Sequence, residues 1–325
     1  MAQGLARYRR LIPSSGAPIA VILYLLMYGV YGSRAPSAFS LFGITTLLDN
    51  TVVLAIAAAG LTLVVLTAEL DLSGIGVIAI ANVVVATTSG AGALGWAGSL
   101  VVALAVGLAV GLLNGWLVAV LGLQSLAATI GTMIACEGVA LLILDAPGGE
   151  VAEAIANGLT GAAGGVFPVA AIILIGLLAL WLLLARTRLG IAIYAVGADE
   201  AAARLSGLNV RRTRLAAFAL AGLCYAVAGY MLSAETSSGD PRASDAFLLF
   251  MYAAVAIGGT ALTGGAGGVF GTVVGAGILT VMQKMLFALG VAEFYTSVFN
   301  GIVMIAAIFI GNFSAILARR QRRPA

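Results

Sequence analysis

Residues 97–121 read AGSLVVALAVGLAVGLLNGWLVAVL, 25 consecutive positions without a charged side chain. As a helix this stretch rises about 37 Å, enough to cross the ~30 Å hydrocarbon core of a bilayer with some tilt. Its apolar residues run on continuously instead of alternating, which excludes an outer-membrane β-barrel strand. Other stretches repeat the pattern. Over 325 residues, hydrophobic types make up 62% and charged types 9%, and the mean hydropathy is +1.13. Soluble domains run nearer half apolar and a quarter charged. A water-soluble globule must cover its surface with polar groups and has no room for so many apolar side chains. A soluble enzyme, a nucleic-acid binder and a disordered chain are therefore excluded. The fold class is all-α, a polytopic helical membrane protein.

Hydropathy predicts about ten membrane helices, at 17–32, 48–68, 72–89, 97–121, 124–144, 167–185, 213–234, 246–262, 269–289 and 294–316. Only Glu69-Leu70-Asp71 separates the second from the third, so a broken or re-entrant segment at 69–76 stays open, as does one at 258–268. The first span follows Arg7, Arg9 and Arg10 as a signal peptide would, but Tyr24, Tyr28 and Tyr31 interrupt it and it reads as a retained helix. With both termini in the cytoplasm, the inner segments hold Arg7, Arg9, Arg10, Arg186, Arg188, Arg204, Arg211, Arg212, Arg214, Arg319, Arg320, Arg322 and Arg323. These are 13 of the 16 Lys and Arg residues, as the positive-inside rule requires. The long acidic loop 145–166 then faces outward and the basic loop 186–212 inward. Everything else is tightly connected, so residues 1–325 form one transmembrane domain.

Composition limits the chemistry. There is no His, so imidazole metal sites and His-dependent catalysis are excluded. Cys136 and Cys224 lie inside apolar runs and read as small buried hydrophobes. The single lysine, Lys284, follows Gln283 and precedes Met285, whereas a Walker A loop needs Gly-Lys-Ser/Thr. Any ATP dependence therefore belongs to another chain. Two glycine stripes, Gly107/Gly111/Gly115 and Gly267/Gly271/Gly275, place small residues on one helix face for close packing within the subunit; a dimer seam is the lesser reading.

Ionisable groups within spans are costly and point to function. Glu69 and Asp71 occupy the turn between the second and third spans, and Glu137 the fifth; Lys284 can snorkel to the interface, and Glu293 falls in an outer loop. Glu69 and Asp71 read equally as loop carboxylates, and Glu137 as a group paired within the bundle. Too few carboxylates and no His remain for a proton relay. Neutral polar groups are more numerous, among them Asn82, Thr87, Asn114, Gln124, Thr129, Thr132, Thr260, Thr263 and Asn300. They can line a path for a hydroxylated solute or act as glue between helices. The candidate pathway set is Glu69, Asp71, Ser73, Asn82, Asn114, Thr129, Glu137 and Thr260.

The inner loop reads TRLGIAIYAVGADEAAARLSGLNVRRTRLAAFALAG over 187–222. Asp199 and Glu200 open a helix of about two turns, and Gly207 stops it. It is too short to stand alone and needs something to pack on; an amphipathic linker has the same composition. Gly190, Ile193-Tyr194-Ala195-Val196-Gly197, Glu200, Ala202-Ala203-Arg204-Leu205-Ser206-Gly207 and Asn209-Val210 resemble the coupling loop of the permease subunits of sugar-type ATP-binding-cassette importers. Those are the ribose and xylose permeases, akin to branched-chain amino-acid permeases. Ala68-Glu69-Leu70-Asp71-Leu72-Ser73-Gly74-Ile75-Gly76 resembles the family's G-G-I-D-L-S-V-G-S. Asn114-Gly115 through Ala128-Thr129-Ile130-Gly131-Thr132-Met133 is similar to a second motif, and Gly258 through Gly268 with Gly271-Thr272 to a third. Four motifs in order span nearly the whole chain. The chain departs from the pattern at Glu69 (usually Gly), at Ser73-Gly74 (no intervening Val), at Gln124-Ser125 (usually Pro-rich) and at Glu137 (commonly Arg).

The resemblance implies a type II importer permease of the bacterial inner membrane, carrying a monosaccharide, polyol or similar small solute and holding no cofactor itself. A cytoplasmic ATPase binding ATP and Mg would dock on Gly197, Asp199, Glu200, Ala202, Ala203, Arg204, Leu205 and Gly207. A periplasmic or lipid-anchored binding protein would deliver the solute, and a second permease, identical or related, would complete the pathway. A branched-chain amino-acid or nucleoside permease is the alternative within this class. An ATP-independent secondary transporter and a regulatory membrane subunit are the alternatives outside it.

Overall fold

The computed structural model describes residues 16–90 and 94–291, with 298, 301 and 302. Apart from those three residues, the expected span 294–316 lies outside the described residues, as do Glu293, Asn300 and the arginines of both termini. Twelve α-helices are described, with a 3-10 turn at Pro36–Phe39: α1 (Gly16–Arg34), α2 (Leu41–Val65), α3 (Gly74–Thr88), α4 (Gly95–Ala119), α5 (Ser125–Ile143), α6 (Glu153–Leu159), α7 (Val169–Ala185), α8 (Arg188–Ala198), α9 (Glu200–Leu205), α10 (Val210–Thr236), α11 (Phe247–Ile257) and α12 (Val269–Ala288). A two-residue hairpin, β1 (Ala162–Ala163) with β2 (Phe167–Pro168), lies between α6 and α7.

Helix α10 is the pillar against which the others are measured. Glu69 pairs with Arg214 near its start, Gly60 packs on Ala221 and Tyr225, and Asn50 donates to Glu235 near its end. Helix α2 therefore runs antiparallel to α10, and the bundle has an Arg214 end and a Glu235 end. Helix α3 runs the other way: Gly74 packs on Tyr225, Ile78 and Ala81 on Gly229, and Asn82 donates to Ser233. The chain thus turns back at the Arg214 end and begins α3 only at mid-height. Eleven residues of α10 separate Arg214 from Tyr225, a rise of about 16 Å. The five steps from Glu69 to Gly74 can reach about that far only when the backbone is nearly extended.

Helix α11 is also short. It pairs antiparallel with α12, Ala254 against Gly275 and Gly258 against Gly271, and reaches mid-height where Tyr252 meets Asp71. Residues 237–246 bring the chain back to it from the Glu235 end. At about 22 Å and 16 Å, α3 and α11 fall short of the hydrocarbon core, so 72–89 and 246–262 are not full helical spans. Polar side chains occupy the backbone ahead of α3, and Gly258-Gly259 ends α11. By length and composition α1, α2, α4, α5, α10 and α12 can each cross a membrane, and α7 with α8 forms a pair bent by 77°.

The stripe glycines on helices pack within the chain, whereas Gly267, expected on the same helix face as Gly271 and Gly275, lies ahead of α12 in the loop 258–268 at a φ of +111°, against Thr260. Gly107, Gly111 and Gly115 lie on Gly222, Phe218 and Leu215 of α10, and Gly271 and Gly275 lie on α11. Close approach is decisive here, because lipid is as apolar as leucine and leaves van der Waals packing to hold helices together. Tyr225, Phe218, Leu61, Ile78 and Met251 are among the largest fully buried side chains of the core. Ile19, Ile22 and Leu26 of α1 and Ile172, Ile175 and Leu180 of α7 point outward. Loop 145–166 covers the Glu235 end: Glu150 N–H donates to Ala86 O, Ala152 N–H to Ser89 Oγ and Gly161 N–H to Asp49 Oδ2.

Candidate functional site: a polar break and a coupling platform

Between α2 and α3 four successive backbone N–H groups lack a helix or strand partner inside an apolar bundle, where each unmade bond is costly. Side chains satisfy all four. Leu70 N–H donates to Ser125 Oγ at 3.2 Å, Asp71 N–H to Tyr252 Oη at 3.2 Å, and Leu72 N–H to Thr129 Oγ1 at 3.1 Å. Ser73 N–H and its hydroxyl donate to Asp71 Oδ1 at 2.9 and 2.6 Å. The network continues outward: Asn114 Nδ2 donates to Ser73 Oγ and Thr132 Oγ1 to Asn114 Oδ1, both at 2.8 Å. Asp71, Ser73, Asn114 and Thr129 are all buried, and the hydroxyl end of buried Tyr225 lies beside Asp71.

The candidate pathway residues therefore fall into separate places. Asp71, Ser73, Asn114 and Thr129 form the network at mid-height. Asn82 sits nearer the Glu235 end, accepting from Asp240 N–H at 2.7 Å and tying α3 to α10 and to the returning segment 237–246. Thr260 lies at the Arg214 end and accepts from Gly268 N–H at 3.0 Å. Glu137 of α5 is half-buried, with Asp245 as its charged neighbour. Glu69 pairs with Arg214 at 2.9 Å.

The second arrangement lies at the Arg214 end. The Thr187 hydroxyl caps α8 by accepting from Gly190 N–H, and the Asp199 carboxylate caps α9 by accepting from Ala202 N–H at 2.9 Å. These two short-side-chain caps supply partners that a helix start otherwise lacks. Gly197 lies so close to Leu66 O and Gly265 N that a Cβ would overlap both. Tyr194 adds a hydrogen bond to Gly267 O at 2.6 Å. The loop is thereby seated on the end of α2 and on the loop 258–268. Glu200 accepts from Arg204 through one oxygen and from Arg214 through the other, at 2.6 and 2.8 Å. Arg204 foremost, with Arg214 beside it, holds the Glu200 carboxyl below its ordinary value against a smaller desolvation effect. Ala203 is the buried residue of α9, whereas Leu205 is 91% exposed at its tip.

Sequence reading missed Arg214, Ser125 and Tyr252 as parts of these arrangements. Arg214 reads as one of several topology arginines, and the only available signal is that Glu69 near the membrane calls for a cation. Nothing in the spacing of Tyr252 points to a segment 181 residues away.

A family model described as "Branched-chain amino acid transport system / permease component" matches residues 43–308. The ribose import permease protein RbsC of Escherichia coli K12 is 34% identical over 298 residues, 90% of this chain and 92% of the relative. The fructose import permease protein FruF of Bifidobacterium longum is 33% identical, covering 85% and 80%. The xylose transport system permease protein XylH of Escherichia coli K12 is 30% identical, covering 90% of each chain. No solved structure matches. The half-helices, the polar break and the loop seated on the end of α2 thus belong to a transport subunit, not an enzyme, and the chain is a member of the branched-chain amino acid transport system permease family.

Proposed function

We propose that this chain is the membrane permease of an ATP-driven importer for a monosaccharide, polyol or similar small solute. The names of the ribose, fructose and xylose permeases to which it is similar support the solute class. The observation that carries the ATP-driven reading is α9: a six-residue helix, capped at its start by Asp199 and presenting a bare Leu205. A helix this short does not hold an exposed leucine for its own stability, and a docking groove on an ATP-binding-cassette ATPase would cover it. In this reading residues 1–325 are one transmembrane domain with both termini and the 186–212 loop in the cytoplasm of a bacterium. The partner ATPase binds ATP and Mg, and a periplasmic or lipid-anchored protein delivers solute over 145–166. A second permease, identical or related, closes the path. Glu137, a half-buried carboxylate of α5, is assigned to contact with solute. Asp71, Ser73, Asn114 and Thr129 frame the break behind it, with Asn82 and Thr260 supporting its two sides.

The test is ATP hydrolysis by the full assembly in liposomes, stimulated by binding protein loaded with ribose, xylose or fructose. Arg204→Glu reverses a charge on α9. Gly207→Pro is incompatible with the φ of +79° at that position. Both are expected to abolish stimulation while the chain still inserts. Normal solute-stimulated hydrolysis in both variants would overturn the reading. Leucine-stimulated hydrolysis would favour the branched-chain alternative, and gradient-driven uptake by this chain alone, without ATP, a secondary transporter.

A further inference from the structure

Four charges form a line from the exposed platform into the break. Arg204 pairs with Glu200 at 2.6 Å, Glu200 with Arg214 at 2.8 Å, and Arg214 with Glu69 at 2.9 Å. Side-chain exposure falls along it, from 60% at Arg204 and 37% at Glu200 to 16% at Arg214 and 14% at Glu69. Its inner end therefore feels far less solvent screening than an ordinary surface pair. Glu69 directly precedes Leu70 and Asp71, whose N–H groups are held by Ser125 and Tyr252. The outer end rests on α9, which has one buried residue, Ala203. The middle member stands on the long, well-packed α10. The long helix α10 thus carries one cation that pairs with the short α9 on one side and with the irregular segment on the other.

We infer that Arg214 and Glu69 are positioning residues that pass displacement of α9 to the break between α2 and α3, resetting the hydrogen bonds of residues 70–73. This rests on the proposed docking of an ATPase at α9. The neutral seat of Gly197 on Leu66 and Gly265 supports the loop separately, so the ionic link can be cut without unseating α8. A coupling element of this kind needs two arrangements that both ends can bias. We place the second arrangement in the break, whose four backbone donors are held by side chains and not by a helix ladder.

Hydrogen exchange at the amides of residues 69–73 tests this in the full chain bound to its ATPase in a lipid nanodisc, nucleotide-free and trapped with ATP and vanadate. No solute is required. In the wild type, trapping is expected to change protection of these amides. Glu69→Gln and Arg214→Gln should each shrink that change by roughly threefold or more, and Arg214→Lys, which keeps the charge, should retain most of it. A purely structural role would alter both nucleotide states alike and leave their difference intact. Should Arg214→Gln fail to accumulate, Glu69→Gln decides alone. A nucleotide-dependent change as large in the Gln variants as in the wild type overturns the relay and leaves the permease assignment standing. A wild-type chain that neither binds the ATPase nor responds to nucleotide overturns both.

Discussion

The Leu72 N–H donates to the Thr129 hydroxyl at 3.1 Å, joining the irregular segment ahead of α3 to the second turn of α5. Thr129 in turn donates to Ser125 O at 2.8 Å within its own helix. The hydroxyl therefore does two jobs, and Thr129 itself is fully buried. Thr129→Val keeps the shape and removes the acceptor, leaving Leu72 N–H unpaired. The expected loss is about 1–3 kcal/mol, read as a lowered melting temperature in detergent. Thr129→Ser, which retains the hydroxyl, should stay near the wild type. Equal melting of the valine and serine variants would show that the bond contributes nothing.

Gly107 and Gly222 meet backbone to backbone where α4 crosses α10. A Cβ on either would overlap the carbonyl oxygen of the other. Neither partner is a flexible side-chain tip, so the two helices must part. Gly222→Ala is expected to cost about 1–3 kcal/mol or more through overpacking. Gly29→Ala on α1 meets no atom within 4 Å and serves as the control, near neutral or slightly stabilising. Thermal unfolding with folded yield separates the two; comparable behaviour would remove the close approach as a determinant of the fold.

Ala68 ends the α2 turn at a φ of +63°, a left-handed conformation that costs a Cβ-bearing residue roughly 1–2 kcal/mol. Ala68→Gly is expected to raise stability by a few tenths to about 1 kcal/mol, the strain relieved being partly offset by a more flexible unfolded chain. A measured destabilisation would mean that the Ala68 methyl packs more usefully than its backbone is strained.

Glu200 is the clearest titration probe outside the membrane-spanning segments. Its hydrogen bond from Arg204, with Arg214 beside it, depresses the carboxyl below the usual 4.5. A group depressed on folding stabilises the ionised form. That contribution is complete above about 4.5 and is lost as pH falls through the lower, folded value. The carboxyl carbon of Glu200, followed by NMR in selectively labelled protein, should titrate below a free glutamate. Arg204→Gln should move the midpoint back up. A wild-type midpoint at the ordinary value would show that the Arg204–Glu200–Arg214 contact does not persist in solution.

Much of this protein is legible in one dimension. The uninterrupted run at 97–121, with its near relatives along the chain, demands helices in lipid because nothing else satisfies the backbone there. The Asp199 cap and the Gly207 stop mark α9 with no help from tertiary contacts, since capping is a matter of a few adjacent atoms. The helix lengths of α3 and α11 were not legible. Hydropathy measures apolar content, and Gly74, Ile75 and Val255 score alike whether the segment crosses fully or starts at mid-height.

The candidate site divides in the same way. Residue type alone singled out Asp71, Asn114 and Thr129, because polar groups in an apolar run must find partners. Which partners they found depended on Tyr252, 181 residues from Asp71, and on Ser125. The pairing of Glu69 with Arg214 likewise joins two segments remote in sequence. Sequence by itself determined that the chain lives in a membrane and which short helix its basic loop contains, since burial cost and capping act locally. Only the tertiary structure decided how the break is held and what its charges grip, because an extended backbone in lipid borrows its hydrogen bonds from whichever helices pack beside it.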